Sequence, residues 1–494
     1  MTISSELKKN ILQNIDRIIS NGAEYVDARL YTKGDTEMLI IFDGNIEVND
    51  TVYENGIGVR VLYNGAWGFA ATSSISEIEK CFDKSFANAK TAASLVNTPL
   101  RMAKKPAIKG SFASPVKQNP FDVSIKDKLD FLLATDKALK EDWIIQRLLM
   151  TMFQHRHIYF FNSEGTETDK TITNVFSKMA ITALDEDGLP QRRSHDLYTE
   201  GTGTRGFEML IKPELFFNHS KRIKGELKEL LTAKQLDYGK RSVILLPGQG
   251  MLQVHETIGH PLELDRILGY ELSYAGGSFV GLNDFGKLKY GSEKLNVSAY
   301  GKIENSPGTF GFDDEGTPER DYLLIEKGIL KDALTSRAMI AEANAKAQKE
   351  VFKESGGCSR ATAFYRAPID RMSNVSILPG NDGNLDDIIK NTENGIIVDT
   401  PLSWSIGSNR EHFHFATEMA WEVKNGKKTG VVRNATYQGH TLEFYNNLSA
   451  VGDESTYRVC QVENCGKGEP NQAMEIGHGV PVLRFDDVIT GERS

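Results

Sequence analysis

The sequence predicts an α+β protein. An N-terminal antiparallel sheet with helices leads into a C-terminal, mainly β part, sandwich- or barrel-like, which carries a short histidine-bearing helix. Three observations predict this. Amphipathic helical stretches alternate with strand-like runs through the first half, as in a sheet covered by helices. Short apolar runs punctuated by glycine (Gly276-Gly277, Gly286, Gly291, Gly301, Gly308, Gly311) fill the second half. A chain of 494 residues also exceeds what one hydrophobic core sustains.

Each element has its own signal. Leu7, Ile11, Ile15 and Ile18 lie three or four apart, giving a helix with one buried stripe, and Gly22 suits its C-terminal end. Val26–Thr32 and Thr36–Phe42 read as strands around Lys33-Gly34-Asp35. Ile57–Tyr63 and Ala66–Ala71 flank Asn64-Gly65, the strongest short hairpin signal. A helix from about Ser76 to Val96 sets Ile78, Phe82, Phe86 and Ala89 on one face. Residues 97–122 carry four prolines and several lysines without periodicity, an extended connector that is either a domain boundary or a loop crossing one domain. Helix Ile125–Leu139, strands Trp143–Phe153 and His157–Phe161, a turn at Asn162–Gly165 and a helix Lys212–Leu231 follow. The expected division is residues 1–236 and 237–494. In the second part, Arg337–Lys349 is the one clear helix outside the histidine stretch.

Composition narrows the function classes. Hydrophobic residues make up 40% and charged residues 25%, as in ordinary globular proteins. The formal net charge of −9 and the absence of a dense Lys/Arg run argue against nucleic acid or an anionic membrane as a main partner. No stretch approaches the ~20 apolar residues of a membrane span. The first twenty residues read as an amphipathic helix and not as an export signal, so a cytoplasmic location is expected. Cys81, Cys358, Cys460 and Cys465 form no CxxC pair and read as reduced thiols.

The chemistry concentrates after the apolar run Val243–Leu246, where Pro247-Gly248-Gln249-Gly250 breaks the strand and a helical segment carries His255, Glu256 and His260. Two imidazoles beside a carboxylate are what a hydrolytic metal site uses. The histidines are five apart. At about 100° per residue, a regular helix leaves the second ring ~140° from the first. Either a π-bulge inserts a residue or the helix ends at His260, whose neighbours Gly259 and Pro261 favour a break. A buried helix with one capping and one surface histidine is the alternative. The pairs His155/His157 and His412/His414 share strand faces, but without an organising carboxylate they read as polar sheet surface. Gly201-Thr202-Gly203 is too short for a phosphate loop.

His255-Glu256-Thr257-Ile258-Gly259-His260 with Glu263 and Asp265, then Phe312-Asp313-Asp314-Glu315-Gly316-Thr317-Pro318, then Cys465-Gly466-Lys467 occur in this order. Together they resemble the TldD/PmbA family of metallopeptidases, also called modulators of DNA gyrase. Asn55–Arg60, Asn162–Gly165 and Arg371-Met372-Ser373-Asn374 leading to Leu378-Pro379-Gly380 extend the likeness over nearly the whole chain. The resemblance implies one Zn2+ per chain held by His255, His260 and Cys465, with Glu256 as general base. It also implies a TldD-like catalytic branch, extended or unfolded peptide substrates, and a dimer with an identical chain or a relative lacking the motif. Pro261, and GKGEPNQ after Cys465, depart from the family pattern. Glu263 and Asp265 are candidates to orient the ligand rings. Asp313, Asp314 and Glu315 read as a turn. A non-catalytic partner subunit and a DNA- or gyrase-associated modulator are the rival readings.

Overall fold

The computed structural model describes residues 3–96, 99–197, 205–212, 216–301 and 303–492, so Gly201-Thr202-Gly203 lies outside the described residues. The fold is α+β. An eight-stranded sheet occupies the N-terminal part, in the order Ala66–Thr72, Gly56–Tyr63, Tyr25–Phe42, Gln146–Asn162, Glu167–Leu184, Lys109–Ala113; Asn45–Tyr53 pairs with Tyr25–Phe42, and Pro190–Asp196 with Glu167–Leu184. Helices Ser5–Ser20 and Ile78–Ala93 bury Ile11, Ile15, Ile18, Phe82 and Phe86 against Val26, Ala28, Val59 and Val61 of this sheet. Ser4 caps the first helix, its side chain accepting from the Leu7 N–H, and Asn64-Gly65 makes the expected tight turn with φ of 46° and 73°.

Several elements differ from the sequence reading. Lys33-Gly34-Asp35 does not reverse the chain. Tyr25–Phe42 is one 18-residue strand with a register shift between Tyr31 and Lys33. Gly34 serves close approach instead: a Cβ there would lie 2.6 Å from the Glu54 carbonyl oxygen. The hairpin turn falls at Asp43-Gly44, both with positive φ. Gln146–Asn162 is likewise one strand and not two. The proline-containing stretch crosses a single sheet, because Lys109–Ala113 pairs in parallel with Glu167–Leu184. The helix expected from Lys212 starts at His219 among the described residues.

The second part contains a closed five-stranded barrel, the barrel-like one of the two expected forms. Gly239–Leu245 pairs in parallel with Asn394–Ile406 and antiparallel with Leu483–Thr490; Thr436–His440 and His412–Lys424 complete the ring back to Asn394–Ile406. Beside it, Arg458–Lys467 and Gln472–Val480 form a separate two-stranded ribbon. Two six-residue helices, Leu385–Lys390 and Thr441–Asn446, join the predicted one, which spans Arg337–Ala347. They are too short to show helical periodicity in sequence.

The two parts share a core: Leu132, Phe153 and Leu227 lie in one apolar cluster with Ile244, Ile397 and Trp421. They also share buried charge. The 313–315 turn forms as expected, Asp313 Oδ1 accepting from the Glu315 and Thr317 N–H groups at 2.9 and 2.8 Å. All three acids are buried, which turn chemistry alone does not foretell. Lys170 Nζ sits 3.0 Å from Asp314, Arg29 3.9 Å from its other oxygen, and Arg60 3.4 Å from Glu315. Arg156 grips Glu475 with two contacts of 2.8 and 3.0 Å.

Candidate metal centre

Strand Gly239–Leu245 delivers the chain to helix Pro247–Val254, with Pro247 at a first-turn position where its missing N–H costs nothing. The next five residues, His255–Gly259, form a π turn, and the His260 N–H donates to the His255 carbonyl. Residues His260–Leu262 then tighten into a 3-10 turn. Both alternatives for aligning the histidines therefore occur in succession: one residue is inserted, and the α-helix ends. Gly259 permits this packing, since a Cβ there would stand 2.1 Å from Met372 Sδ, in a side chain that is itself fully buried.

The turn brings His255 and His260 to one side, and Cys465 arrives from the ribbon 205 and 210 residues away. Cys465 Sγ lies 3.1 Å from His255 Nε2 and 3.4 Å from His260 Nε2. Zinc–sulfur and zinc–nitrogen bonds of ~2.3 and ~2.0 Å at a tetrahedral angle put donors ~3.5 Å apart, so the observed spacing fits such an ion. Among the described residues this is the one group of three His, Cys, Asp or Glu donors close enough for a metal. His155 bonds Thr173 at 2.9 Å through Nδ1, and His412 and His414 are exposed; neither pair belongs to such a group.

The hydrogen bonds also set the ring tautomers. His478 Nδ1 lies 2.8 Å from the Val375 carbonyl, which only accepts, so this nitrogen carries the proton. In a neutral ring His478 Nε2 must then accept, and its partner 2.8 Å away, His255 Nδ1, donates. His260 Nδ1 donates to Glu263 Oε2 at 3.0 Å. Both Nε2 lone pairs are thereby aimed at the thiol side. Burial lowers the His255 pKa to about 4 and holds His260 and His478 below the ordinary value, so all three rings are neutral near pH 7.

A cationic girdle backs the centre. Glu263, with no exposed side chain, meets Lys467 Nζ at 3.3 Å, Arg266 at 3.6 Å and Arg371 at 3.9 Å. Burial opposes its charge, but Lys467 and His260 outweigh it and keep the carboxyl well below the usual range. Burial likewise opposes a thiolate at Cys465, yet Arg371 and His260 prevail and its pKa falls below normal. Arg371 also donates to the Cys465 carbonyl at 2.6 Å.

Of the two residues expected to orient the rings, only Glu263 touches one. Asp265 accepts from Lys467 and reaches neither ring, because both Nδ1 atoms already have other partners. Glu256 Oε2 forms an ion pair of 2.6 Å with Arg410, whose other terminal nitrogen donates to the Ala275 carbonyl at 3.0 Å. Sequence reasoning assigned no role to His478, Arg371, Lys467 or Arg410. Arg371 and Lys467 lay inside quoted motifs; His478 between two glycines, and Arg410 in a loop, carried no signal.

Comparisons with known proteins match this architecture. Residues 238–491 fit the model of the PmbA/TldA metallopeptidase C-terminal domain, and residues 26–89 that of PmbA/TldA metallopeptidase domain 1. A metalloprotease of Methanocaldococcus jannaschii is 29% identical over 96% of this chain and 98% of its own. A metalloprotease TldD homolog of Buchnera aphidicola is 27% identical over 96% of this chain and 93% of its own. Among solved structures, TldE of Thermococcus kodakarensis superposes with a TM-score of 0.71 at 14% identity, covering 98% of this chain and all of that one. A Thermotoga maritima protein with a proposed role as modulator of a DNA gyrase reaches 0.74 at 16% identity, over 98% and 99% of the two chains.

Proposed function

Because the chain belongs to the PmbA/TldA metallopeptidase family, we propose that it is a zinc-dependent peptidase acting on extended or unfolded peptides. The observation that carries this reading is the convergence of two neutral imidazoles, lone pairs aligned, on a thiol of lowered pKa. His255, His260 and Cys465 hold the ion. Glu263 and His478 fix the two rings, and Asp265 acts one step further out by steadying Lys467. When bound, zinc supplies Lewis acidity to a water and to the scissile carbonyl.

Glu256 takes the proton of the attacking water and passes it to the leaving amine. Its Oε2 is held by Arg410, so Oε1 is the atom that accepts. Residues 237–494 carry this machinery, and residues 1–236 supply the sheet that braces it. The chain works as a dimer, with an identical copy or a motif-lacking relative. The cytoplasm suits its four unpaired cysteines, and no helix among the described residues is long and apolar enough to cross a membrane.

The Glu256–Arg410 ion pair favours one rival, a non-catalytic partner subunit in which this carboxylate is purely structural. Hydrolysis of an unstructured peptide mixture by the zinc-loaded chain, with Glu256→Gln as control, decides between them. Cleavage abolished in the variant supports the peptidase. Absence of cleavage, alone and with a motif-lacking relative added, supports the subunit.

A further inference from the structure

A cavity of about 440 Å³ lies at Asp265, walled by Trp67, Phe69 and Leu100 of the N-terminal part and by the 468–469 and 367–370 segments of the C-terminal part. Its chemistry is mainly acidic, the one lining cation among the described residues, Arg60, being held by Asp27. Asp265, Glu271, Glu315 and Asp370 line it, each at most 6% exposed. Three have partners: Asp265 takes Lys467, Glu271 the Gly468 N–H, and Glu315 both Arg60 and the Arg337 N–H. Asp370 differs. It is 1% exposed and, among the described residues, has no cation within ion-pair distance; the Ser336 hydroxyl and, from farther off, Lys467 are what favour its ionised form.

A buried carboxylate without a paired cation is costly, and in a cavity of this size a ligand is the natural compensation. Burial and the neighbouring Asp265 push the Asp370 carboxyl well above its ordinary pKa, as expected of a site awaiting a countercharge. The start of helix Arg337–Ala347 also borders the cavity and by its dipole would favour an anion. Two of its donors are already taken, the Met339 N–H by Ser336 and the Arg337 N–H by Glu315, and the surrounding carboxylates would repel an anion. A bare divalent ion is a poor fit, because the carboxylates do not converge: the one metal-type donor triad among the described residues is His255, His260 and Cys465. The half-exposed Tyr270 and Tyr274 rings at the cavity suit a cation carried on an apolar stem.

We propose that this cavity binds an organic cation, a guanidinium or alkylammonium group on a short aliphatic chain, with Asp370 as its principal anionic partner. The occupant is either a basic side chain of a bound peptide or a free small amine. The inference does not depend on the chain being a peptidase, because binding is read without turnover.

The test is titration calorimetry of the zinc-loaded full chain with butylguanidine and its neutral twin, butylurea. Butylguanidine is expected to saturate one site per chain and to bind at least tenfold more tightly than butylurea. Asp370→Asn should weaken it at least tenfold. Ser273→Arg, an exposed change at the cavity that tethers a competing guanidinium, should do the same even where the buried variant folds poorly. Equal binding of the two probes, or undiminished butylguanidine binding in both folded variants, overturns the proposal. In the Glu256→Gln chain, displacement of butylguanidine by an arginine-containing hexapeptide, but not by its citrulline twin, identifies a peptide side chain as occupant. Butylguanidine binding without such displacement identifies a free amine.

Discussion

Glu263→Gln separates the two jobs that one buried carboxylate performs. The glutamine oxygen still accepts from His260 Nδ1, so the ring keeps its tautomer, but the charge is gone. Without the carboxylate charge the ring is a weaker donor, and altering such a partner weakens metal affinity by roughly 10- to 100-fold, or about 1.4 to 2.7 kcal/mol. The effect on folding is larger. Lys467, Arg266 and Arg371 all face Glu263 within 3.9 Å, and removing it leaves Asp265 as the remaining nearby acid. Removing one partner of a buried ion pair costs about 3 to 5 kcal/mol, so stability should suffer more than metal binding. Chelator competition on folded protein measures the first quantity, and urea unfolding of metal-free protein the second. A variant that loses less than 1 kcal/mol of stability while binding zinc as the parent does would refute the girdle as a source of either effect.

Other outcomes follow from the same geometry. Cys465→Ser, or thiol alkylation of the metal-free chain, should abolish tight zinc binding; retention of stoichiometric zinc after gel filtration would contradict the ligand assignment. Burial depresses the folded His255 pKa to about 4 against an ordinary 6.5, so the unfolded chain binds the extra proton between these values. The metal-free protein should therefore lose stability as pH falls from about 6.5 to 4, by up to ~3 kcal/mol from this ring; urea midpoints that rise over that interval would reverse the sign and sink the argument. Gly259→Ala should cost about 1 to 3 kcal/mol, because its methyl group must displace the buried Met372 sulfur; an unchanged unfolding midpoint would show that the π turn tolerates a side chain.

Much of the centre was legible in the primary structure, and the reasons are physical. Five-residue histidine spacing is incompatible with a straight helix, so a backbone irregularity between His255 and His260 had to exist. Helix Ile125–Leu139 was readable to the residue because Ser124 caps it and its periodicity is unbroken. What stayed hidden depends on distant partners. His478 becomes important through one hydrogen bond to a ring 223 positions earlier. Asp265 looked equivalent to Glu263, but one points to a ring and the other to Lys467, a distinction that only the bend after His260 creates. Gly34 looked like a turn because glycine marks both reversals and close contacts, and the Glu54 carbonyl that decides between them lies twenty residues on, in the link between two other strands.

The salt links across the two halves bear on how such a chain can be rebuilt. Asp314, Glu315 and Glu475 belong to the half bearing the His–His–Cys cluster, whereas Lys170, Arg29, Arg60 and Arg156 belong to the other. Expressed alone, the C-terminal half would expose an acidic face evolved to be dry, and the N-terminal half a matching row of unanswered cations. Neither is a transferable module. Chimaeras that graft one relative's sheet onto another's barrel should fold only where both parents place these charges in the same register, which makes the seam a compatibility code between halves.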